Sequence, residues 1–134
     1  MEVLYTGQKA KSLLFATLGQ IDSCFTDLNQ TISGLSEFLK KSNNEDCQKD
    51  YNSIKTSMSR FRSLLDEIMN QEFTLDMDPE ILKAFRHDLR SAISTILGFS
   101  ELIQETMFEN NMPHAESFTY VMDQCRFLLP LIEK

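Results

Sequence analysis

The stretch Leu14–Leu39, LFATLGQIDSCFTDLNQTISGLSEFL, decides the fold. Apolar side chains recur at Leu14, Leu18, Ile21, Phe25, Leu28, Ile32, Leu35 and Leu39, in steps of four and three that a strand would scatter over both its faces. On a helix they form one stripe. The spacing predicts a single long helix over 8–41, roughly 50 Å at 1.5 Å per residue. The polar run Lys41-Ser42-Asn43-Asn44 ends it, and a second stripe follows at Cys47, Tyr51, Ile54, Met58, Phe61, Leu65 and Ile68. So short a link must fold the two helices back antiparallel.

The next break is Thr74 to Asp78. Asp78 is a good N-cap and Pro79 suits the first helical position, so a third helix is predicted from 79 with its stripe at Leu82, Phe85, Leu89, Ala92, Ile96, Phe99 and Ile103. Asn110-Asn111 closes that helix. Pro113 restarts the chain on a fourth stripe, Phe118, Val121, Cys125, Leu128 and Ile132, which Pro130 is expected to kink or end early. Only four Gly and three Pro interrupt the chain, and strand formers never alternate with polar residues. The fold class is therefore all-α, a four-helix bundle made of two antiparallel helical hairpins, 8–72 and 79–134, in one domain. The two seams are equally long, so one hairpin can cover the other, and a monomer is expected over a homodimer.

At 134 residues, with 42% hydrophobic and 25% charged side chains, the chain can bury a core without staples. Its net charge of −7 argues against nucleic acid and against anionic membrane surfaces, both of which need an excess of Lys and Arg. No apolar run approaches the ~18 residues of a membrane span, and the N-terminus lacks the order of a signal peptide, so a cytoplasmic location is expected. Cys24, Cys47 and Cys125 are odd in number and scattered, without a CxxC pair. They read as idle thiols in a reducing compartment; neither a metal site nor a cofactor is expected of this chain.

The chemistry lies on the outside of the third helix. With Leu82, Phe85, Leu89 and Ala92 in the seam, His87 takes the most exposed heptad position. Lys83 and Arg90 share its face, four residues before and three after, and Arg86 adjoins it. Three cations around one imidazole make a local anion site in an acidic protein. Ser91 and Ser94 continue the stripe with small side chains that leave room for a partner. By contrast, His114 in the turn before the fourth helix reads as a capping or surface residue, and Lys40-Lys41 as a complement to a helix C-terminus. Most Met and Phe residues read as core; Met107, Phe108 and Met112 are the group that could instead form an exposed patch.

The run Phe85-Arg86-His87-Asp88-Leu89-Arg90-Ser91-Ala92-Ile93-Ser94-Thr95-Ile96-Leu97-Gly98-Phe99-Ser100-Glu101-Leu102-Ile103 closely resembles the H-box of the dimerisation and histidine-phosphotransfer domain of two-component sensor histidine kinases. The spacing agrees without a gap, and with the following helix the resemblance covers 79–134. It implies that His87 is the phosphorylated histidine, that Asp88 orients or deprotonates the imidazole, and that Arg90 belongs to the same surface. Two positions depart from the family. Ala92 stands where Pro is usual, which implies a weaker kink. Ser91 stands where Thr or Asn positions water for dephosphorylating a receiver, so any phosphatase activity would fall to its hydroxyl. Monodomain histidine-phosphotransfer proteins, also four-helix bundles, fit less well, because Leu97-Gly98 falls one residue late and Ser91 stands where they carry Gly.

Sensor kinases carry an ATP-binding domain after this hairpin, whereas this sequence stops at Lys134 and contains no glycine cluster to cradle a nucleotide. Autophosphorylation from ATP is thus not expected of this chain alone. The expected reaction is phosphoryl exchange between His87 and the aspartate of a response-regulator receiver domain, with Mg on the receiver. Lys83, Arg86, Arg90 and Ser94 would meet the phosphoryl group or the partner. The alternative, from a different class, is a non-catalytic interaction module that captures or inhibits a receiver or a sensor kinase through the H-box surface.

Overall fold

The computed structural model describes the backbone of residues 2–71 and 79–133 and the side chains of 16–70 and 79–133. The expected break at Thr74–Asp78, with its Asp78 cap, lies outside the described residues, as does the side chain of Leu14. The protein is all-helical: α1 (Glu2–Gly34), α2 (Ser36–Lys41), α3 (Glu45–Gln71), α4 (Pro79–Glu109) and α5 (Ala115–Glu133). Every described side chain of the first, second and fourth stripes is buried, from Leu18 to Leu39, from Cys47 to Ile68 and from Phe118 to Ile132. These stripes merge with that of α4 into one core.

Neighbouring helices run antiparallel. Tyr51 and Arg62 of α3 meet Ile32 and Asp22 of α1, while Gln104 and Arg90 of α4 meet Thr119 and Glu133 of α5. α3 packs on α4, α4 on α5 and α5 on α1, whereas α1 and α3 approach each other less closely. Side chains bridge that wider gap. Phe25 stacks on Phe61 with ring centroids 4.5 Å apart, and the Tyr51 hydroxyl donates to the Ile32 carbonyl at 2.7 Å.

The second of these contacts explains a departure from the predicted helix over 8–41. That helix begins at Glu2 and is interrupted at Leu35, where the amide turns back three residues to Ile32 O at 3.1 Å. Ile32 O is the acceptor that Tyr51 also takes, so a side chain inserted into the ladder, next to Gly34, breaks the four-residue register. After the short α2, Asn44 caps α3 by accepting from Cys47 N at 3.0 Å. Lys40 and Lys41 occupy the last turn of α2, as the helix dipole favours.

The α4 seam also differs from its prediction. It runs through Leu89, Ala92, Ile93, Ile96, Ser100, Ile103 and Met107, while Leu82, Phe85 and Phe99 are only half-buried. An α-helix turns 100° per residue, so a strict seven-residue repeat drifts around it, and Ser100 rotates inward where Phe99 was expected. The end of α4 is a Schellman motif. Asn111 adopts φ 51° and its amide reaches Phe108 O at 3.2 Å, while Met112 N reaches Met107 O at 2.8 Å. Met107 is fully buried and Met112 packs against the core, so of the three residues that could have formed an exposed patch only Phe108 stands in solvent.

α5 starts at Ala115, two residues after the expected restart at Pro113. His114, at φ 70°, offers its carbonyl to Ser117 N at 3.0 Å and sets its ring edge-on to Phe38 at 4.7 Å. Pro130 does not end α5, which continues to Glu133. Pro130 is exposed and near the terminus, so the missing hydrogen bond falls on the carbonyl of Arg126, itself an exposed residue.

Removing only the buried phenolic hydroxyl in Tyr51→Phe should cost about 1 kcal/mol, the usual net value of such a bond, as read from urea unfolding monitored by circular dichroism. A second expectation concerns the free thiols. Burial pushes the fully buried Cys125 thiol up to about 12, with Arg126 pulling weakly the other way. The half-buried Cys24 should therefore react first with 5,5′-dithiobis(2-nitrobenzoate), and Cys47 and Cys125 only as the protein opens. An unfolded thiol ionises from about pH 9 while the folded Cys125 keeps its proton, so stability should fall as pH climbs from 9 towards 12.

Candidate functional site

Because α4 needs only one stripe to join the core, its opposite face is free to carry polar groups. His87 lies there with 69% of its side chain exposed. Its Nδ1 stands 3.4 Å from Asp88 Oδ1. When Nδ1 carries the proton and donates to that carboxylate, the lone pair is left on Nε2. Asp88 in turn lies 3.9 Å from Arg60, which reaches across from α3.

Two shallow clefts meet at the imidazole. One, of about 260 Å³, is lined by Lys83, Arg86, His87, Arg90 and Glu133. The other, of about 310 Å³, is lined by Glu80, Lys83, Ala84, His87 and Asp88. The expected basic residues therefore do gather around His87. Ser91 and Ser94 line neither cleft. Ser91 is half-buried one turn beyond the histidine, with its carbonyl accepting from Thr95 Oγ1 at 2.9 Å, and the exposed Ser94 lies about 10 Å from His87 along the axis.

Three residues of the site escaped the sequence reading: Arg60, Glu80 and Glu133. Arg90 pairs with Glu133 of α5 at 3.5 Å, so one of the three expected cations already has a carboxylate partner. With Asp88 and Glu80 also present, the surface is a mixed network, less positive than the spacing along α4 implied. Glu80 adjoins the helix start that the sequence did mark. Arg60 and Glu133 carried no local signal, because they arrive only when α3 and α5 pack against α4.

Among the described residues no three His, Cys, Asp or Glu side chains gather to hold a metal ion, and no helix is long and apolar enough to cross a membrane. No family model, curated protein or solved structure matches this chain.

Since His87 supports neither the core nor a helix end, His87→Ala should leave stability within about 0.5 kcal/mol of the parent in urea unfolding. A larger loss would show that the imidazole holds α4 in place.

Proposed function

We propose that this protein is a histidine phosphotransfer protein, a four-helix bundle of two antiparallel hairpins that exchanges a phosphoryl group between His87 and the aspartate of a response-regulator receiver domain. It works as a single chain in the cytoplasm. The observation that carries this reading is the exposed His87 ring with one nitrogen facing Asp88, set between two open clefts with Lys83, Arg86 and Arg90 around it. The run 85–103 supplies the second support, through its resemblance to the H-box.

The chemistry follows from that geometry. Asp88 accepts a hydrogen bond from Nδ1–H, which keeps that proton on the ring and leaves the Nε2 lone pair as the nucleophile. The Nε2 lone pair attacks phosphorus of the receiver's aspartyl phosphate; an N–P bond forms as the acyl P–O bond breaks, and the aspartate leaves as a carboxylate. The ring then bears a positive charge that Asp88 balances. In the return direction a second carboxylate attacks phosphorus and the neutral imidazole leaves. Lys83 and Arg86 offer charge to the phosphoryl oxygens, and Mg is carried by the receiver.

Asp88→Asn should slow transfer from a radiolabelled phospho-receiver about 10²-fold while receiver affinity by calorimetry stays near the parent value. His87→Ala should abolish labelling, because no other side chain of the clefts combines a neutral nucleophilic nitrogen with a base. Labelling that survives in His87→Ala overturns the proposal. Receiver binding with no acid-labile phosphate on the parent chain would assign the surface to capture instead.

A further inference from the structure

A second opening lies away from His87, along the seam between α1 and α3. It is a groove of about 620 Å³, within the ~300–1,000 Å³ of small-molecule sites. The Phe25–Phe61 stack and the Tyr51–Ile32 bond hold its two walls together through side chains, and between these tethers the walls stay apart. Along α3 it extends from Tyr51 to Ser63, about 18 Å at 1.5 Å per residue. Phe25, Ile32, Tyr51 and Met58 form its floor.

The walls are selective in charge. The chain carries 20 acidic residues, yet none of the groove's lining residues is acidic. Arg62 at one end is already held by Asp22 and Asp66. Lys55, near the other end, forms no ion pair among the described residues and sets its ammonium 5.7 Å from the Tyr51 ring centroid. Around it Asn29, Ser33 and Ser59 supply an amide and hydroxyls, and the short serines keep the groove open. One uncommitted cation beside an aromatic floor, with neutral donors and no carboxylate, is complementary to a ligand with an apolar body and an anionic head.

We propose that the α1–α3 groove binds a small soluble amphiphilic anion, an aromatic or aliphatic body on the Phe25–Met58–Tyr51 floor with its carboxylate, sulfonate or phosphate on Lys55. This site is independent of the phosphotransfer reading. Two fluorescent probes of similar shape test it: anionic 8-anilinonaphthalene-1-sulfonate and neutral N-phenyl-1-naphthylamine. The full chain should bind the anion saturably, one per chain. Lys55→Glu should weaken it at least tenfold while shifting the neutral probe less than twofold, and Ser59→Phe, which fills the groove, should remove both. Arg86→Glu, beside His87, should change neither, and melting followed by circular dichroism checks that each variant is folded. Absence of saturable anion binding, or binding that survives Lys55→Glu or Ser59→Phe, overturns the proposal. Co-sedimentation with phosphatidylglycerol vesicles, lost in Lys55→Glu, would assign the groove to a lipid surface and overturn it as well.

Discussion

The stack of Phe25 on Phe61 is the contact on which the arrangement depends. α1 and α3 do not pack closely along their backbones, so two aromatic rings at 4.5 Å set both the distance and the register between them. An aromatic pair of this kind contributes about 0.5–1.5 kcal/mol beyond the area it buries. Its geometric effect is larger. With the rings as a spacer, Arg62 falls opposite Asp22 and Tyr51 opposite Ile32, and the interruption at Leu35 follows from the second of these. α3 then offers its other flank to α4, α4 carries α5, and α5 returns to α1. The same spacer leaves the groove open.

How much of this was legible in the sequence depends on the range of the interaction. The four stripes were, because burial on a helix repeats every three or four residues and needs no knowledge of the neighbour. Every described side chain of three stripes lies in the core. Errors arose where another element intervenes or where the period drifts. The break at Leu35 needs Tyr51, sixteen residues on, to reach a carbonyl. Ser100 lies inside in place of Phe99 because seven residues fall short of two full turns. Pro130 inside α5 reflects how little a missing hydrogen bond costs on an exposed residue close to a helix end. Asn111 and His114, both at positive φ, mark a turn that the Asn110-Asn111 pair announced without fixing where α5 starts.

The candidate site divides along the same line. Lys83, Arg86, His87 and Arg90 are neighbours through helical spacing alone, and the structure places all four on one cleft. What that spacing could not contain is the counter-charge from other helices. Glu133 answers Arg90 and Arg60 answers Asp88, so a surface that reads as three unopposed cations is a mixed network.

The run Arg60–Asp88–His87 also ties the two halves of the chain together. The imidazole and its carboxylate belong to α4, but the guanidinium that faces the same carboxylate belongs to α3. Asp88 is 41% exposed and Arg60 56%, so solvent screens the pair and its energy lies at the low end of surface ion pairs, below about 1 kcal/mol. Its consequence is for orientation more than stability. A carboxylate held between a guanidinium and a ring nitrogen has fewer rotamers open to it, and the ring inherits that restriction. α3 therefore reaches the site without touching His87: its Arg60 faces the Asp88 carboxylate, and that carboxylate faces Nδ1 of the imidazole.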